Sequence, residues 1–198
     1  MVAPAETHAQ SAPLVGNAVI IDNAPFFNSG GDGLGSGNYA LNHPSFIDIP
    51  YAIFDFGTTS SVSSAMLTWN FRSLFGGSGP AQIALYVGND ADGSISIADR
   101  FMGTLANVFT YSGGELRTYD VTSYVNSSLG SGRYFAARLE ATVPPASLSG
   151  YYGGQFDVPS LNYAVTATPE PASVLLLGTG LVGVFSVSRR RRKQASAV

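Results

Sequence analysis

The chain has 198 residues, 45% of them hydrophobic and only 12% charged, with no cysteine and a formal net charge of −3. The missing thiols exclude a disulfide framework and a thiolate metal centre, and the acidic balance opposes a nucleic-acid-binding surface. The length suits one sizeable domain and is short for two.

Residues 1–13 have neither a basic n-region nor an apolar h-region and are expected to be a disordered segment. Thr7-His8-Ala9 before Gln10 is similar to the small-residue end of a signal-peptide cleavage site, which would place the true start upstream. Residues 14–166 make up the expected folded domain. Its aromatic and glycine-rich composition, without a long amphipathic helical pattern, predicts an all-β fold.

Alternation and turn chemistry mark the strands. Ala18–Asp22 precedes the Gly/Ser/Asn-rich loop 28–38, and Tyr51–Phe56 ends at Gly57. Ser63–Phe71 places Ala65, Leu67, Trp69 and Phe71 on one face; Gln82–Val87 does the same with Ile83, Leu85 and Val87. Phe109–Tyr111 and Leu116–Tyr119 flank Gly113-Gly114 and predict a hairpin. Asp120 is placed to N-cap a short helix through Val125. In Arg133–Ala141, Tyr134, Ala136, Arg138 and Glu140 face opposite to Phe135, Ala137 and Leu139, and Leu161–Thr166 is the closing strand. Many short, evenly spaced strands predict a β-sandwich, of jelly-roll type.

The head shows little catalytic chemistry. Its two histidines, His8 and His43, fall outside any Ser-His-carboxylate spacing, and there is no G-x-S-x-G elbow. Asp55, Asp99, Asp120 and Glu140 are the carboxylates from which a glycosidase pair would have to come. Capping of turns and bonding to backbone amides accounts better for these carboxylates, so the expectation is a non-enzyme that needs no cofactor. Asn89-Asp90-Ala91-Asp92-Gly93 with Asp99 has the alternate carboxylates of a calcium loop, though the EF-hand's first and last positions would be Gly88 and Asp99; a plain hairpin turn is the competing reading. Tyr151, Tyr152 and Phe156 beside Gly153-Gly154 suit stacking on sugar faces, or filling the end of the core.

The tail is the most specific part. Thr168-Pro169-Glu170-Pro171 leads into an uncharged run over 172–188, then Arg189-Arg190-Arg191-Arg192-Lys193. Seventeen helical residues reach roughly 26 Å, a marginal bilayer span that snorkelling arginines would lengthen. Ten basic residues less these five leave five against thirteen acidic ones in the rest of the chain, and Lys193 is the only lysine. The positive-inside rule then keeps 189–198 cytoplasmic and exports the head. The prolines hold the 167–171 linker extended and stop helix from propagating out of the membrane.

Pro169-Glu170-Pro171, the apolar run and the arginine cluster together resemble the PEP-CTERM sorting tail of exported Gram-negative proteins. The resemblance implies processing by exosortase, a membrane-embedded cysteine protease cutting near the signature, and then a place at the cell surface or in the extracellular matrix, with links to exopolysaccharide and biofilm. Ala52-Ile53-Phe54-Asp55-Phe56, Ser64-Ala65-Met66-Leu67 and Asp120-Val121-Thr122 are similar, in order, to the DNRLRE-type β-sandwich of bacterial surface proteins. The expected function is structural or adhesive, with a carbohydrate-active enzyme or carbohydrate-binding module on the same sandwich as the alternative.

Overall fold

The computed structural model describes residues 7–21, 26–28, 38–43, 46–75, 81–111, 114–141 and 152–166. By compactness the chain divides into His8–Val165 and a second unit of Met1–Thr7 with Thr166–Val198. In chain order the strands are β1 (Thr7–Ser11), β2 (Leu14–Ile21), β3 (Phe26–Asn28), β4 (Asn38–His43), β5 (Phe46–Asp55), β6 (Ser64–Phe75), β7 (Ala81–Asp90), β8 (Thr104–Tyr111), β9 (Glu115–Asp120), β10 (Tyr134–Ala141), β11 (Tyr152–Phe156) and β12 (Ser160–Thr166). A 3₁₀ turn at Ile97–Phe101 precedes β8, and one helix, α1 (Thr122–Leu129), follows β9.

All pairings described are antiparallel and form two sheets facing each other in a sandwich. The first has the order β3-β2-β5-β10-β7-β8. In the second, β6 pairs with β9 along one edge, with β12 and β11 end to end along the other, and β1 pairs with β12. β4 pairs with both β5 and β11 and so links the sheets.

Side-chain alternation explains why these strands face each other. Ala65, Leu67, Trp69 and Phe71 on β6 point inward, as expected, against Ile83, Leu85 and Val87 of β7 and Phe135, Ala137 and Leu139 of β10, all buried. Phe71 meets Phe156 edge-on with centroids 4.8 Å apart. Each large side chain buried in this way adds about 1.5–3 kcal/mol over its exposed state.

The opposite face of the first sheet carries a second apolar cluster: Ile20, Ile49, Tyr51, Ile53 and Ala136. The segment between β7 and β8 lies over it and contributes Ile95 and Met102. By contrast, the outer face of the second sheet exposes Met66 and Leu116.

Three expectations are corrected. Residues 7–11, placed in a disordered segment, form a strand, because β12 offers an open edge; Ala12 N donates to Leu161 O at 2.8 Å, and the Tyr163 hydroxyl donates to Gln10 Oε1. The strands flanking Gly113-Gly114 do not form a hairpin, since β8 pairs with β7 and β9 with β6 in the other sheet. Helix α1 extends beyond Val125 to Leu129 before Gly130; its N-cap is Val121, while Asp120 Oδ1 accepts from Thr122 N at 2.9 Å. Among the described residues no helix is long and apolar enough to cross a membrane; the span expected over 172–188, with its flanks 167–171 and 189–198, lies outside them.

Candidate functional site

The segment after β7 is built around Asp90, which is 3% exposed. Its Oδ1 accepts from Gly93 N at 2.7 Å and Asp92 N at 3.2 Å, and its Oδ2 accepts from the Tyr51 hydroxyl at 2.9 Å. An Asx turn therefore reverses the chain, and the phenol satisfies the oxygen left over. Gly93 has φ +73°, and a Cβ there would lie 2.5 Å from the Tyr134 ring, so both backbone and space require glycine. Burial pushes the Asp90 carboxyl above the usual carboxylate range, although the Gly93 amide and the Tyr51 hydroxyl pull it down. Tyr51 is pushed upward too, first by burial and then by the Asp90 charge.

Arg138, 5% exposed, holds the other end of the segment. Its Nε donates to Met102 O at 2.7 Å, its Nη1 to Glu140 Oε2 at 2.6 Å, and its guanidinium lies 3.9 Å from the Tyr86 ring centroid. A charge this buried persists because two of its N–H groups have acceptors, one of them a carboxylate, and an aromatic ring covers one face. Gly103, with φ +87°, lets the chain pass close to Val87 O, where a Cβ would come within 2.7 Å.

Two grooves meet at Tyr124 on α1. One, of about 380 Å³, lies between Gly88-Asn89, Thr104 and Ser127, Ser128 and Ser131. The other, of about 240 Å³, opens between β8 and β9 and is lined by Asn107, Thr118, Tyr119 and Asp120 over Leu85 and Val121. Burial pushes the Tyr119 phenol up to about 12. Asn89 Oδ1 is buried without a hydrogen-bond partner, whereas the buried Tyr119 hydroxyl has the Arg117 guanidinium beside it.

The calcium-loop residues Asp90, Asp92 and Asp99 each serve backbone amides: Asp92 Oδ1 accepts from Ser94 N at 2.8 Å and Asp99 Oδ2 from Ser96 N at 2.6 Å. No group of three His, Cys, Asp or Glu side chains among the described residues is arranged to hold a metal ion. The four carboxylates weighed as a catalytic pair have separate partners, Asp55 with Arg133, Asp99 with Ser96, Asp120 with Thr122 and Glu140 with Arg138. Phe156 is fully buried against Phe71, so its ring cannot stack on a sugar; Tyr152 opens β11 opposite Asn42, and Tyr151 lies outside the described residues. Pro169, Glu170, Pro171 and Arg189, Arg190, Arg191, Arg192 and Lys193 also lie outside them. Sequence reasoning missed Tyr51, Arg138 and Tyr124 as organising residues. Arg138, with Glu140 two residues on, stands out on a strand whose other residues are apolar and was the one visible signal.

No curated protein matches the chain. Among solved structures it is similar to a xylan-binding module CBM15, at 10% identity and a TM-score of 0.39 over 83% of this chain and 100% of that one. The CBM22-1 xylan-binding domain of Paenibacillus barcinonensis Xyn10C gives 10% identity and a TM-score of 0.38 over 81% and 100% of the two chains. A latent aurone synthase (polyphenol oxidase) gives 9% and 0.37 over 67% of this chain and 26% of that one. Likeness at this level extends to proteins of unlike chemistry. At the C-terminal end, residues 167–192 match the family model of the PEP-CTERM protein-sorting motif, and the chain carries that motif directly behind β12.

Proposed function

We propose that this is an exported protein whose β-sandwich is delivered by its tail to the cell surface or extracellular matrix, where it has a structural or adhesive, non-enzymatic role. The observation that carries this is the sorting-motif match over 167–192, immediately after the last strand. In this reading residues 172–188 span the inner membrane and Arg189–Lys193 hold the cytoplasmic side. An exosortase-type membrane protease cuts near Pro169-Glu170-Pro171 and frees the head from a transient anchor. The separate local partners of Asp55, Asp99, Asp120 and Glu140 support a head without a catalytic pair. Exopolysaccharide and biofilm matrix are the setting that the tail's resemblance suggests.

Mass spectrometry of the mature C-terminus tests the proposal in a host with and without its exosortase. The expected product lacks everything after about Pro171, and only when the protease is present. A mature chain retaining Arg189–Lys193 in both strains would instead indicate a permanent single-pass anchor.

A further inference from the structure

We propose that the two grooves meeting at Tyr124 form a binding site for a neutral glycan. Their volumes, about 380 and 240 Å³, together fall within the range of about 300–1,000 Å³ typical of small-ligand sites. The lining decides the ligand class. Among the described residues no lysine, arginine or histidine lines either groove, so a phosphate, sulfate or uronate would find no cation among them to pair with. The single charge, Asp120, has its Oδ1 committed to Thr122, whose backbone amide and hydroxyl both donate to it, and these bonds hold its carboxyl below the usual range. A lone carboxylate already engaged is a poor cation site.

What remains is a series of neutral donors and acceptors: Asn89, Thr104 and Ser127 on one side of Tyr124, Asn107 and Thr118 on the other. Side-chain hydroxyls and amides around an aromatic ring suit a polyol, whose hydroxyls need both donors and acceptors and whose ring presents apolar C–H faces. The orphaned Asn89 Oδ1 fits this reading, since Asn89 belongs to the wall of the larger groove. A buried polar group without a partner costs free energy, and a ligand hydroxyl reached by a side-chain rotation would recover part of it. An extended peptide fits less well, because beside α1 the larger groove offers only the end of β7, Val87 to Asn89, and Thr104 of β8, a short length of strand to pair with.

The site would give the adhesive role proposed above a ligand class, and it rests on that reading only for its setting. Its test uses purified full-length protein in detergent micelles, so failure of binding and failure of delivery are read separately. The protein is applied to an array of neutral glucans, mannans, xylans and galactans beside polygalacturonate and sulfated glycans. The expected result is retention on at least one neutral class, reduced tenfold or more in Tyr124→Ala. Ser127→Trp, at an exposed helix position that fills the larger groove without touching the core, should reduce it similarly and covers the case in which Tyr124→Ala fails to fold. Retention on acidic glycans alone, on none, or equally by wild type and folded Ser127→Trp would overturn the proposal.

Discussion

The Tyr51 hydroxyl and Asp90 Oδ2, 39 residues apart in sequence, meet at 2.9 Å beneath the segment that covers the first sheet. Tyr51 comes from the middle of β5 and Asp90 from the last position of β7, with β10 between them. The bond therefore spans a strand and fixes where the chain leaves the sheet.

Tyr51→Phe should destabilise the fold by about 1–3 kcal/mol, because it leaves Asp90 Oδ2 buried without a donor while preserving ring volume. Chemical denaturation reads this directly. The loss should shrink when Tyr51→Phe is made in an Asp90→Asn background, where no full charge is stranded. Equal losses in both backgrounds would show that the hydroxyl contributes independently of the Asp90 charge.

Acid should weaken the sandwich through Asp55 and Asp120. The bond from Arg133 holds the Asp55 carboxyl below its ordinary value, and the bond from the Thr122 hydroxyl does the same for Asp120. Stability from such groups is fully present above the unfolded carboxylate value, about 3.9, and is lost as pH falls through the lower folded values. Asp90 works with the opposite sign. Its value is raised, chiefly by burial, so its contribution is full below the ordinary value and declines as pH rises through the raised one. Melting temperatures across pH 2–7 should show a steeper acid limb in wild type than in Asp55→Asn, and a flatter upper limb in Asp90→Asn. An unchanged acid limb in Asp55→Asn would remove the Arg133 pair as its cause.

Trp69, the only tryptophan, is fully buried on β6 among the inward residues of both sheets. Trp69→Ala should cost about 3–5 kcal/mol, the range for truncating a large aromatic in a core. In wild type, emission should be that of an apolar site and shift to the red in a single transition with loss of β-sheet circular dichroism. Red-shifted emission from the native protein would contradict the burial.

Periodicity made the inner faces of β6, β7 and β10 legible, because alternation on a strand follows from backbone geometry alone. What the pattern lacked was partner information. β8 and β9 read as a hairpin because glycines between two apolar runs mark a turn without saying which sheet each run joins. β1 and β11 were missed because Thr7–Ser11 and Tyr152–Phe156 show no strong alternation, and edges offered by β12 and β6 order them. Asp90 illustrates the same limit. Asn-Asp-x-Asp-Gly specified a turn, but the donor filling its free oxygen comes from a distant strand. The grooves at Tyr124 depend on where α1 settles, which no local pattern encodes.

Gly93 and Gly57 separate backbone strain from lack of space. Both have positive φ, +73° and +57°, but a Cβ at Gly57 meets nothing within 4 Å, whereas at Gly93 it would lie 2.5 Å from the Tyr134 ring. Gly57→Ala should therefore cost only the left-handed penalty, about 1–2 kcal/mol. Gly93→Ala carries that penalty and must also move a tyrosine that packs on the outer-face cluster, so its loss should be larger. Pairing each with Tyr134→Ala decides the matter: the second substitution should recover part of the Gly93→Ala loss and none of the Gly57→Ala loss. If it rescues neither, the turn at Gly93 is limited by backbone conformation alone and the Tyr134 ring is free to yield.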